Sequence, residues 1–151
     1  MRTPYCSEMV SSSEELLDKI DDLKINLVNN IQQVYKYGRQ IFKDSSRKYG
    51  NKIWDILELT AICSLYLDDI DTARSCILKI AQRFPDSNRL HALFGLVLEK
   101  RRRFPEALEV YKDILVEKPM CKFVIKRIIS MSIENNETQK AIDNLNKYLQ
   151  T

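Results

Sequence analysis

From Leu16 onward apolar residues recur every three to four positions, a helical spacing broken only at short polar points. Leu16, Leu17, Ile20, Leu23, Ile25, Leu27 and Val28 begin the pattern, and Ile31, Val34, Tyr35, Tyr37, Ile41 and Phe42 carry it toward Lys48. Gly50 suits a helix C-cap and closes this region. Beyond it the pattern predicts three helix pairs, over 52–67 and 71–84, 88–100 and 104–117, and 120–134 and 137–151. Asp68-Asp69, Lys100-Arg101-Arg102-Arg103 and Asn135-Asn136 supply the turns within the pairs. Asp68 and Asp69 are good N-cap residues for the helix that follows, and Pro105 suits a first helical position. Ser11-Ser12-Ser13-Glu14-Glu15 has the form of a capping box, and residues 1–11 before it read as a polar tail.

The helix pairs share a period. Ala73, Ala107 and Ala141 stand 34 residues apart, as do Pro85 and Pro119, and Gly95 meets the small residue Ala61 one period earlier. A period of 34 with paired helices is that of the tetratricopeptide repeat. The expected fold is all-α: a right-handed α-solenoid of three repeats, about 54–87, 88–121 and 122–151, behind N-terminal capping helices at 12–50. The alanines sit where the second helix of a unit crosses the first, and only small side chains let the backbones approach. Ile77, Tyr111 and Leu145 are the large apolar residues that fill the crossing, while Pro85 and Pro119 stop the second helices. In the third unit Ile129 takes the place held by Ala61 and Gly95, which predicts a wider or differently angled crossing. Ile142, Leu145 and Leu149 on the last helix have no following helix to cover them. Solenoids are closed by polar capping helices, so the chain reads as a piece of a longer array with a helix open to self-association.

Composition narrows the function. The chain has 44% hydrophobic and 30% charged residues, three glycines and four prolines, which suits one continuous folded array. Its longest apolar runs fall far short of a membrane span, and the N-terminus lacks the apolar core of a signal peptide, so a cytosolic address is expected. Cys6, Cys63, Cys76 and Cys121 form no Cys-x-x-Cys pair and His91 is the single histidine, so no zinc site is expected. Cys63 and Cys76 read as small packed hydrophobes. Without a nucleophile elbow, a phosphate loop or a recognisable carboxylate pair, neither catalysis nor a cofactor is expected.

Binding is the remaining chemistry. The first helix of each unit lines the concave face of such an array, which places Asp55, Glu58, Ile62 and Tyr66 there from unit one. Arg89, Leu96, Glu99 and Lys100 follow from unit two, and Phe123 and Lys126 from unit three. The face is acidic at one end, more basic at the other and apolar between, a surface for an amphipathic helix or an extended protein segment. Asp55, Glu58 and Ile62 are the wrong residues for a clamp on an acidic chaperone tail. The run Lys100-Arg101-Arg102-Arg103 resembles a nuclear-import or nucleic-acid patch, but it lies in a turn where exposed charge is unremarkable. A net charge of +3 supplies no broad footprint for a phosphate backbone.

Beyond the generic repeat lies a more specific likeness. Ile53-Trp54, Ala73, Arg83-Phe84-Pro85-Asp86-Ser87, Arg89, Gly95, Glu99, Glu106-Ala107, Tyr111, Ile114-Leu115 and Pro119 stand in an order that resembles the subunit 2 family of the endoplasmic reticulum membrane protein complex. Ala141-Ile142, Leu145-Asn146 and Tyr148-Leu149 extend the likeness, which covers roughly residues 31–150. The resemblance implies a longer non-catalytic repeat scaffold, cytoplasmic and peripheral at the ER membrane, held to the membrane only through partners. Those partners would be cytosolic segments of membrane subunits and a second soluble subunit, in a complex that inserts transmembrane segments including tail anchors. It further implies that the concave residues, Tyr66, Arg89, Leu96 and Lys100 above all, touch a partner chain. A tetratricopeptide adaptor of another complex and an RNA-binding helical repeat remain as alternative readings.

Overall fold

The computed structural model of the chain describes residues 13–44 and 46–149. The tail at 1–11, the first two serines of the expected capping box and the last two residues lie outside them. The described residues hold eight α-helices and one short 3-10 turn, with no strand. The helices are α1 (Ser13–Lys24), α2 (Leu27–Lys43), α3 (Lys52–Tyr66), α4 (Ile70–Arg83), α5 (Asn88–Lys100), α6 (Phe104–Glu117), α7 (Lys122–Glu134) and α8 (Thr138–Leu149).

Neighbouring helices pack as antiparallel pairs, α1 on α2, α3 on α4, α5 on α6 and α7 on α8. The last three pairs are called units one to three below. This is the tetratricopeptide-type helical solenoid that the 34-residue period predicts. The pairs are stitched together by α2 on α3, α3 on α5 and α6 on α7.

The period is written in the backbone as well as in the side chains. Asp68, Arg102 and Asn136, each 34 residues from the next, all adopt φ of 59° just past the first helix of their unit. After each, the next amide reaches back five residues, from Asp69 to the Ser64 carbonyl, Arg103 to Leu98 and Glu137 to Ser132. This is the Schellman arrangement, which satisfies carbonyls orphaned at a helix end and reverses the chain.

The crossings use small residues as expected. Ala61, Ala73 and Ala107 have essentially no solvent exposure. Gly95 is required by close approach: a Cβ there would lie 2.3 Å from Cε1 of the fully buried Tyr111. Gly38 on α2 plays the same part against α3, where a Cβ would lie 2.0 Å from Oγ1 of Thr60. The hydroxyls of Thr60 and Ser64 are buried, and each donates to the carbonyl four residues back, at 2.6 Å.

The core falls into two clusters. The larger runs from Leu16 and Ile20 on α1 through Leu57, Ala61, Cys76 and Ile77 to Leu90, Leu93 and Leu96 on α5. The smaller joins Ala92, Ala107, Tyr111 and Ile114 of unit two to Val124 and Met131 of unit three. Helix α5 takes part in both, and so links the two ends of the array.

Candidate protein-binding groove

The first helices α3, α5 and α7 lie side by side and form one face. Between them runs a groove of about 420 Å³ lined by Ile62, Leu65 and Tyr66, by Leu96 and Lys100, and by Arg127 and Glu134. Tyr66 follows the last packed turn of α3 and is 54% exposed, so its ring projects beside the groove instead of into the core. Leu96 is buried enough to act as floor.

Most of the charged residues expected to meet a partner are spent inside the chain. Arg89 pairs with Asp55 at 2.6 Å and also with Glu58. Arg89 stands one 34-residue period after Asp55, and the two links pin α3 to α5. Burial lifts the Glu58 carboxyl above its usual range, against the pull of Arg89. Lys100 pairs with Asp68 at 2.8 Å, across the same two units.

Glu99, at the bottom of the groove, is buried, accepts from the Tyr111 hydroxyl, and is gripped in bidentate fashion by Arg127 of unit three. Burial first, and then the Glu99 carboxylate, push the Tyr111 phenol well above its ordinary pKa, while the hydrogen bonds to Glu99 raise that of Arg127. Residue spacing could not expose this triad, because Glu99, Tyr111 and Arg127 come from three different helices.

The basic run is largely neutralised at home. Lys100 meets Asp68, Arg102 meets Glu134 at 3.3 Å, and Arg103 meets Glu106 one turn on. Among the described residues, Arg101 alone in the run has no ion pair. Phe123, 40% exposed, and the exposed Lys126 stand on α7 outside the groove lining.

A second hollow, of about 460 Å³, lies at the opposite end of units one and two. Trp54 and Phe84 meet edge to face there, at 5.2 Å between ring centroids, above Ile80, Leu90 and Leu93. No group of histidine, cysteine and acidic residues that could hold a metal exists among the described residues. Burial raises the Cys63 thiol to about 11 and, with Asp69 adding to it, that of Cys76 to about 12, so both are inert packed thiols. No helix of the described residues is long and apolar enough to cross a membrane.

No family model matches the chain. Relatives are found over almost all of it. ER membrane protein complex subunit 2-A of Xenopus laevis and subunit 2 of Xenopus tropicalis are each 31% identical over 137 residues, 91% of this chain. TPR repeat protein oca3 of Schizosaccharomyces pombe is 29% identical over 104 residues, 69% of this chain and 37% of its own length. The chain spans 46% of the length of the Xenopus proteins.

Proposed function

We propose that this chain, a relative of ER membrane protein complex subunit 2, is a non-catalytic repeat scaffold of that complex, made of a capping hairpin at 12–50 and three repeats of a longer array. It works on the cytosolic face of the ER membrane and supports the insertion of transmembrane segments, tail anchors included. It does so by holding cytosolic segments of membrane subunits and a second soluble subunit. The observation that supports this most is the groove along α3, α5 and α7, with exposed Tyr66 over the apolar floor of Ile62, Leu65 and Leu96. Such a surface binds a protein segment and offers no chemistry of its own.

Of the expected contact residues, Tyr66, Ile62, Leu96 and Lys100 line the groove and form the proposed binding set, whereas Arg89, Asp55 and Glu58 hold unit one to unit two. Affinity capture from detergent extract, read by mass spectrometry, tests this. Tyr66→Asp is expected to lose the subunits of the ER membrane protein complex while helical circular dichroism stays unchanged. Equal recovery by wild type and Tyr66→Asp removes the groove from the reading, and recovery of unrelated soluble proteins alone replaces the reading with a generic adaptor.

The last helix adds a second, weaker surface. Ile142, Leu145 and Leu149 are 45%, 43% and 71% exposed and lie on one stripe of α8. Self-association through α8 would bury that stripe. Light scattering of the chain and of Leu149→Lys decides this, with a concentration-dependent mass expected only for the former.

A further inference from the structure

Lys36, Arg39 and Lys43 on the outer face of α2 have no ion pair among the described residues, in contrast to the paired cations of the groove. Val28, Gln32, Lys36, Arg39 and Lys43 follow one another three or four residues apart, which makes a single exposed stripe about 22 Å long. It lies opposite the buried Val34, Gly38 and Ile41, and no acidic residue occurs between Leu27 and Lys43. Arg39 donates to the Tyr35 hydroxyl at 3.0 Å and lies over the Tyr35 ring. Lys79 of α4, also without an ion pair among the described residues, stands 5.0 Å from the centre of the Phe42 ring and adds a fourth cation.

The nearby acids are fewer, and none pairs with these cations. Asp69 of α4 accepts from the Thr72 amide and the Tyr35 hydroxyl, Asp44 accepts from the Tyr49 hydroxyl at 2.9 Å, and Asp71 stands exposed in the first turn of α4. The five acids of α1 lie on the far flank: Lys19 of α1 covers Tyr37, whereas Tyr35 and Phe42 on the opposite flank of α2 meet Asp69 and Lys79 of α4. At the head of the stripe Ile25 and Val28 are 85% and 81% exposed, at the turn between α1 and α2. Neither hollow described above includes any residue of this tip or of the stripe. Affinity between proteins rests mostly on anchors seated in fitted pockets, which this surface does not offer. A lipid surface asks for no such fit, since aliphatic side chains enter its headgroup layer and cations lie along it.

We propose that the α1–α2 tip and the outer face of α2 rest directly on an anionic lipid surface. Ile25 and Val28 enter the boundary between headgroups and acyl chains, while Lys36, Arg39, Lys43 and Lys79 meet the anionic headgroups. Two weak signals act together here, a pair of inserted aliphatic side chains and a short cationic stripe, as reversible attachment to a membrane requires. The contact goes beyond the scaffold reading, in which partners alone hold the chain to the membrane. It shares no residue with the groove along α3, α5 and α7, so lipid and a protein segment can be held at the same time.

The test is flotation of the whole chain with vesicles of phosphatidylserine in phosphatidylcholine, beside vesicles of phosphatidylcholine alone. The anionic vesicles are expected to bind at least about tenfold tighter, and to release the chain as salt rises from about 0.05 to 0.5 M. Lys36→Glu with Lys43→Glu is expected to cancel that preference, and Ile25→Ser with Val28→Ser to weaken binding to the anionic vesicles at least about fivefold. All four positions are exposed, so both double variants should melt within a few degrees of wild type. Equal binding to the two vesicles, no binding to either, or unchanged binding by either double variant overturns the proposal. An acidic protein is the other occupant such a face could take. Loss of complex subunits by Lys36→Glu with Lys43→Glu in the capture from detergent extract, where no bilayer remains, overturns the lipid assignment in its favour, and unchanged capture supports the lipid.

Discussion

Units two and three share a period and a turn geometry, yet they are built to different standards. In unit two Gly95 opens a slot that Tyr111 fills completely, Ala107 closes the crossing, and the Tyr111 hydroxyl is tied to Glu99. In unit three Ile129 occupies the place of Gly95, Ala141 is 7% exposed, and Leu145, the counterpart of Tyr111, is 43% exposed. The period ensures that helices pair, while the quality of each crossing depends on matching a small residue on one helix to a large one on the other. Unit three also has no helix beyond α8 among the described residues, so the stripe that α6 turns toward α7 has no equivalent cover.

The largest effects should come from filling or emptying that slot. Tyr111→Ala is expected to lose about 4 kcal/mol, from the cavity it leaves and from the hydrogen bond lost at Glu99. Leu145→Ala, at the matching position of unit three, should cost only about 1 kcal/mol because much of its surface already meets water. Urea unfolding followed by circular dichroism measures both, and equal losses would break the comparison. Gly95→Ala sharpens it from the other side: the added methyl collides with the Tyr111 ring, at an expected cost of about 2 kcal/mol. The matching change in unit three, Ile129→Ala, meets no such ring.

Next in size is the link between the two units. Glu99→Ala leaves Arg127 without its carboxylate and the Tyr111 hydroxyl without its acceptor, an expected loss of about 3 kcal/mol. Replacing both charges, Glu99→Met with Arg127→Met, should cost clearly less, because no buried charge is then left unpaired. If the double replacement proves as damaging as Glu99→Ala, the pair does more than compensate its own desolvation. Arg102→Ala, which removes the exposed pair with Glu134, should change stability by less than about 0.5 kcal/mol.

The repeat helix pairs were legible because alanine and proline recur at a fixed spacing, and the starts and ends of α3 to α8 fall within two residues of what caps and turns predict. The break between α1 and α2 was not foreseen, and α2 ends at Lys43, short of the expected cap at Gly50. What stayed hidden depends on the superhelix. Arg89 and Asp55 stand one full period apart, and nothing in a linear reading shows that successive first helices bring them together. Asp68 and Asn136 suit a left-handed turn residue, but Arg102 does so poorly, and only the backbone shows that it adopts the same φ. Gly38 gave no periodic signal, since its partner Thr60 lies on a helix outside its own hairpin. Ile62, Tyr66, Leu96 and Lys100 line one groove, and Arg127, which lines it with them, was read only as part of a helix.

The turns offer a finer contrast. Asp69 caps α4 by accepting from the Thr72 amide at 3.1 Å, and it also accepts from the Tyr35 hydroxyl of α2. Its counterpart Arg103 has no side-chain cap for α6. Asp69→Ala is therefore expected to lose about 1 kcal/mol, and Arg103→Ala less than about 0.5 kcal/mol. The bond to Thr72, followed by that from Tyr35, holds the Asp69 carboxyl at about 2, below its ordinary 3.8. A depressed carboxyl stabilises the fold above its unfolded pKa and loses that contribution as pH falls through its folded pKa. Wild-type stability should thus decline between pH 3.8 and about 2 by an increment that Asp69→Ala lacks. Because Asp69 is half exposed, solvent screening keeps the increment within about 1 kcal/mol. Melting curves of the two proteins at pH 5 and near pH 2 should converge as the acid removes the cap; a constant gap would mean that the cap does not depend on the charge of Asp69.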